Sequence, residues 1–312
     1  MKRLAKVLVL FAVSIMFFMP TKEAKAGILG IEFQYLQFTN IDYTYARSPT
    51  YTPATGNGDA EGMDPGFNPS YRLIYKQGNI TYSIQHSEVS ESESVIGTYA
   101  FILAAPGSTT GYSGLNIYDC PLCKIETELE ARLTVYDVEV ANVISSSDDF
   151  FLYFLAGLRI VDFDMNTRTL YQSGTIAGPD FDENVRLDNS YLGYGVKTGL
   201  KANYKLSDNF SLAATFTYAI LYGESGYNYY HDYSNVKVNR SSGRNASIME
   251  TSLKAIFGPP ESIQYWVSFE AQTIESAITR DMPFSFDLED NTLETSGDIG
   301  TQSFSAGMKL VF

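Results

Sequence analysis

The chain has 312 residues, 14% of them aromatic, and a formal net charge of −14. So acidic a chain lacks the basic patch that nucleic-acid recognition needs, which excludes that class of partner. Beyond the first 26 residues no apolar run is long enough for a membrane-spanning helix, which leaves a soluble exported domain or a β-barrel.

Residues 1–26 have the layout of a secretory signal. Lys2, Arg3 and Lys6 are followed by an apolar run over residues 8–19 and then Pro20. Ala24-Lys25-Ala26 offers the small residues that a signal peptidase reads, so cleavage is expected after Ala26. The apolar run falls short of the roughly 20 residues a helix needs to cross a bilayer. No Cys follows it, which argues against a lipoprotein. Cleavage leaves one domain, residues 27–312, with a charge of about −18.

Within that domain period-two alternation predicts about ten strands. The first covers residues 30–39, with Ile31, Phe33 and Tyr35 on one face. The second covers 67–77 and carries Tyr71, Leu73 and Tyr75; Gly78-Asn79 then turns the chain into the third, 80–87. Strands over 129–143 and 150–163 flank a polar turn at 145–149. The sixth, 189–206, places Leu192, Tyr194, Val196 and Leu200 on one face and Gly193, Gly195, Lys197, Gly199 and Lys201 on the other. Ser207-Asp208-Asn209 leads into 210–222. Strands over 246–257 and 263–274 flank the turn at 258–262, and the last runs from 301 to Phe312.

Short connections alternate with long polar ones, 40–66, 88–128, 164–188, 223–245 and 275–300. This is the layout of an all-β, antiparallel, up-and-down transmembrane barrel with tight periplasmic turns and long extracellular loops. A twelve-stranded variant has residues 96–105 and 115–118 as an extra hairpin. Phe304, Ala306, Met308, Leu310 and Phe312 alternate to the last residue, and a terminal Phe resembles the sorting signal of bacterial outer-membrane proteins.

The middle of the chain resembles the Legionella-type major outer membrane protein family. The resemblance lies in Leu133-Thr134-Val135-Tyr136-Asp137-Val138-Glu139-Val140, in Leu155-Ala156-Gly157-Leu158-Arg159-Ile160, and in Tyr191-Leu192-Gly193-Tyr194-Gly195-Val196-Lys197-Thr198-Gly199-Leu200. It covers roughly residues 129–222, and the first hairpin departs from it by lacking the family's tryptophans. The resemblance implies a barrel-forming, porin-like protein and brings no catalytic residues.

If the apolar faces meet lipid, the opposite faces place Glu32, Arg72, Lys76, Asp137, Glu139, Arg159, Lys197, Lys201, Glu250, Lys254, Glu270 and Lys309 in the lumen. Charges there need partners or water. In one reading they pair across a filled interior. In the other they line a water path and tune ion selectivity. Ten strands enclose a bore only slightly wider than the eight that side chains fill, so a narrow or gated pore is expected over a wide one.

Cys120 and Cys123, in the second long connection, are expected to form a local disulfide in an oxidising compartment. Two enzymatic alternatives arise. His231-Asp232 with Asp64, Asp180 and Asp182 would supply an omptin-like protease; His86-Ser87 would supply a lipase, but neighbours on a strand point to opposite faces. The tyrosine-dense residues 226–233 suit recognition at the surface. Asp59, Glu61 and Asp64 match no established cation loop. The expectation is a non-enzymatic outer-membrane barrel without cofactor or metal. Its expected partners are outer-membrane lipid, the barrel-assembly machinery, small solutes and, in an oligomer, further copies of itself.

Overall fold

The computed structural model describes residues 27–39, 43–47, 60–63, 66–99, 101–102, 120–173, 181–231, 236–283 and 292–311. Its strands are β1 (Gly27–Thr39), β2 (Tyr43–Arg47), β3 (Ala60–Met63), β4 (Phe67–Gln77), β5 (Ile80–Tyr99), β6 (Phe101–Ile102) and β7 (Cys120–Ser146). They continue with β8 (Phe150–Ser173), β9 (Phe181–Ser207), β10 (Phe210–His231), β11 (Val236–Phe257), β12 (Gln264–Pro283) and β13 (Thr292–Val311). There is no helix among the described residues. β2, β3 and β6 form a small sheet of their own, and the other ten close a barrel in sequence order. Closure is made by β1, which pairs with β4 on one side (Glu32 opposite Arg72) and with β13 on the other (Gly30 opposite Lys309). Every pairing is antiparallel. The up-and-down barrel of ten strands is therefore the architecture that the alternation predicts. The described barrel has ten strands; Ile96, expected to open an extra hairpin, continues β5 and pairs with Lys124 of β7, and the hairpin's second arm, 115–118, lies outside the described residues.

Tight turns join β4 to β5, β7 to β8, β9 to β10 and β11 to β12, and β1 begins and β13 ends at the same rim. At the first of these turns Gly78 takes φ +61°, the left-handed conformation that a two-residue hairpin turn requires. At the opposite rim the strands run much further than expected. The segment read as 129–143 spans Cys120–Ser146, that read as 150–163 reaches Ser173, and that read as 189–206 begins at Phe181. Only residues 174–180 separate β8 from β9 and 232–235 separate β10 from β11. The regular alternation of short and long loops is thus not kept, because much of the supposed loop sequence is strand.

The cause is a reversal of polarity along the long strands. Nearer the tight turns the outside is apolar and the bore polar. On β1, Leu29, Phe33 and Tyr35 point outward with exposures of 50, 65 and 56%, while Glu32 and Gln34 are buried. Large apolar side chains so exposed around a closed sheet require lipid, not water. Towards the other rim the sense inverts without a slip in register. On β8, Leu158 faces outward and Arg159 inward; then Val161, Phe163 and Met165 are buried in the bore, alternating with Asp162, Asp164 and Asn166. On β7, Ile125, Leu129 and Leu133 face in and Glu126, Glu128 and Glu130 face out. Inward-facing Leu36, Phe38, Leu187, Tyr191, Leu221, Ile248, Ile274 and Ile299 join them in one buried cluster. A membrane strand needs about 9–11 residues, yet β7 and β9 have 27 each. The apolar-cored half is a water-facing barrel standing on a membrane barrel.

Candidate functional site: the charged chamber of the bore

The inward charges lie at the level of the outward apolar band and meet across the bore. β7, β8 and β9 bring Asp137 beside Arg159, and Glu139 beside Gly157 and Lys197. Gly157 faces the bore with no side chain, and an added Cβ would fall 2.1 Å from the carbonyl oxygen of Val138, so strand pairing itself demands glycine there. Arg159 clamps Asp137 through two bonds, Nε to Oδ1 at 2.7 Å and Nη2 to Oδ2 at 2.6 Å. Its Nη2 also meets Glu250 of β11 at 2.7 Å. Lys197 bridges Asp137 at 3.0 Å and Glu139 at 3.1 Å.

A second group forms on the opposite wall. Arg72 binds Glu270 at 2.6 Å and Glu32 at 3.3 Å. Glu32 is 1% exposed, and it also accepts from Lys254 at 3.1 Å, from Gln34 at 2.9 Å and from the indole N–H of Trp266 at 2.7 Å. A buried carboxylate with four donors is well compensated. Between the groups lies a cavity of about 140 Å³, lined by Arg72, Asp137, Glu139, Lys197, Lys201, Glu250, Lys254 and Glu270 among others. In the membrane half of the bore, Glu32, Asp137, Glu139, Glu250 and Glu270 are taken up by Arg72, Arg159, Lys197 and Lys254. Lys76, Lys201 and Lys309 make no ion pair among the described residues.

Trp266, the sole tryptophan, was not singled out from the sequence. The alternation that sends Glu270 inward also sends Trp266 there, and that was the available signal. Lys254 lies 4.7 Å from its ring centroid. Gly307 makes room for the indole: a Cβ there would fall 2.3 Å from a ring atom. Gly307→Val is expected to displace Trp266, shift its emission to the red and lower stability by about 1–3 kcal/mol in urea unfolding. An unchanged spectrum and midpoint would remove Trp266 from that packing.

The remaining sequence candidates fare differently. Cys120 and Cys123 stand at the head of β7 and not in a loop; their side chains, like those of Glu61, Asp182 and His231, lie outside the described residues. Asp59, Asp64, Asp180, Asp232, Phe312 and residues 1–26 lie outside them altogether. His86 is partly exposed, with Nδ1 3.0 Å from the Thr134 hydroxyl, whereas Ser87 is buried and bonds Ser70 at 2.7 Å. The two point to opposite sides of the sheet, as expected. In the tyrosine-dense stretch Tyr227 and Tyr229 are buried in the bore, 2 and 1% exposed, so they present no contact surface.

A family model described as the Legionella pneumophila major outer membrane protein precursor matches residues 19–270. The chain belongs to this family. No curated protein matches it. Among solved structures, the outer membrane protease OmpT of Escherichia coli superposes with a TM-score of 0.54 at 11% identity, over 95% of this chain and 99% of that one. At that identity the likeness is one of fold. The toluene transporter TodX of P. putida gives 0.29 at 10% identity, over 96% and 91%. A major outer membrane protein from Thermus thermophilus gives 0.29 at 11%, over 92% and 99%. Membership in the Legionella family and the barrel together indicate the bacterial outer membrane. The tight-turn rim is then periplasmic, and the apolar-cored half stands outside the cell.

Proposed function

We propose that this member of the Legionella family is a closed outer-membrane barrel, a structural and surface-exposed component of the envelope that is neither an enzyme nor a carrier of a cofactor. Export by a signal cleaved after Ala26 and insertion by the barrel-assembly machinery belong to this reading. The observation that carries it is the mainly apolar layer across the extracellular half of the bore, where Glu91, Arg240 and Arg244 also face inward. On β7 its inward run spans Ile125 to Val135, roughly 25 Å along the axis of a tilted sheet. Packed side chains over that depth leave no water path.

The second reading is porin-like passage of small solutes, favoured by the charged chamber, whose volume holds on the order of ten waters. Passage then requires the apolar layer to part. Planar-bilayer recordings decide between them. The folded barrel, identified by heat-modifiable gel migration, is expected to stay silent. Steady steps that scale with salt would overturn the closed reading and establish the pore.

A further inference from the structure

The lipid-facing wall is hollowed in one place. Ala202 of β9 lies opposite Ala214 of β10, and Ala255 of β11 lies one row nearer the periplasm, opposite Leu212. These three alanines floor a hollow of about 690 Å³. Its banks are tall: Tyr204 and Leu212 stand on one side, Phe269 and Phe304 on the other, and all four are exposed on the outside of the barrel. A second hollow of about 350 Å³ shares Ala202 and Ala214 and continues past Thr251, away from the periplasmic rim. The polar residues beside the larger hollow are engaged elsewhere. Lys254 turns its ammonium into the bore, 3.1 Å from Glu32, and the hydroxyls of Ser268 and Ser305 bond each other at 2.5 Å. On the periplasmic side the next row is aromatic: Phe257 lies opposite Tyr265 and stacks on Phe210 at 5.1 Å between ring centroids. Rings of this kind sit at the level of the lipid headgroups.

We propose that this hollow is a binding site for one acyl chain of a phospholipid of the periplasmic leaflet. Its place decides the class of occupant: it opens into hydrocarbon, beside the headgroup level of the periplasmic face, where a soluble partner does not reach. Its shape decides between a lipid and a second barrel. A second convex wall would rest on the tall side chains and leave the alanine floor untouched, whereas a flexible chain can lie between the banks. Within a bilayer no hydrophobic gain separates one apolar contact from another, so packing decides. A chain seated on Ala202, Ala214 and Ala255 meets side chains on three sides and gains dispersion contacts that a chain on an even wall lacks. The site faces lipid and not the bore, so a silent or a conducting bilayer leaves it standing.

The test folds the barrel into vesicles of phosphatidylethanolamine and phosphatidylglycerol, extracts it in a mild detergent and weighs it by native mass spectrometry. The expected result is a barrel that keeps a single diacyl phospholipid through a detergent wash. In the double variant Ala202→Phe, Ala214→Phe, whose rings fill the floor, the lipid-bound fraction falls about tenfold. Ala156→Phe, at an outward alanine of β8 that does not line the hollow, keeps the lipid. Heat-modifiable migration shows that each variant is folded. If the double variant fails to fold, Ala214→Leu, a smaller filling, replaces it. A wild-type barrel that retains no lipid, a retained lipid indifferent to the filled floor, or an equal loss in Ala156→Phe overturns the site. A dimer of the chain that dissociates when the floor is filled also overturns it and assigns the hollow to a second copy.

Discussion

Phe163→Asp is expected to prevent the barrel from reaching its compact, heat-modifiable form. Phe163 is fully buried on the inward face of β8, with its ring centroid 6.4 Å from that of Phe38 on β1. A carboxylate there is buried among apolar side chains, without the cations that hold the carboxylates of the charged chamber. The loss of the ring alone costs about 3–5 kcal/mol, and an unpaired buried carboxylate adds several more. That exceeds much of the 5–15 kcal/mol by which domains are normally stable. Phe163→Ala, measured by urea unfolding of the barrel in lipid vesicles, separates the two contributions, and Asn166→Asp on the outer face is expected to be neutral. A wide, water-filled lumen would tolerate Phe163→Asp, so normal folding of that variant would refute the closed reading.

Removing Arg159 is the second large effect. The guanidinium is 3% exposed and serves both Asp137 and Glu250. Arg159→Met leaves Glu250 without its ion pair and Asp137 with Lys197 alone, in a site closed to bulk water. Breaking a buried pair in this way costs about 3–5 kcal/mol. Replacing the cluster with apolar groups does not carry that penalty, since well-packed hydrophobic residues often substitute for buried ion pairs without loss. The triple variant Arg159→Met, Asp137→Leu, Glu250→Met should therefore recover most of what the single change removes. Denaturation midpoints followed by Trp266 emission test both statements. A loss below about 1 kcal/mol for Arg159→Met would mean that water reaches the cluster.

The membrane half was open to sequence reading because its alternation has the sense that lipid imposes, apolar outward. Strand number, the turns at Gly78 and Ser207, and the inward placement of Arg159 or Lys197 all follow from it. The extracellular half uses the same period in the opposite phase. Asn184, Arg186 and Asp188 alternate with Val185 and Leu187, and read for lipid-facing strands they resemble a polar loop. A search for alternation in either phase recovers them. Cross-bore pairing is a different matter. Arg72 meets Glu270 from strands nearly 200 residues apart, and which inward charges share a level depends on the stagger of the closed sheet, which no local pattern encodes.

The inversion of polarity also sets the order in which this protein enters its membrane. Glu126, Glu128 and Glu130 end on the outside of the barrel, beyond the lipid. A closed sheet sliding through the bilayer would drag these carboxylates, and the outward charges of its neighbours, across hydrocarbon at a cost that rises toward the midplane. The far half must therefore travel before the sheet seals, with its charged face screened from the acyl chains. Translocation then ends by itself: once the apolar-coated half reaches the lipid, movement in either direction exposes the wrong surface. Each long strand carries its own stop signal, distributed over its length in the alternation of its side chains.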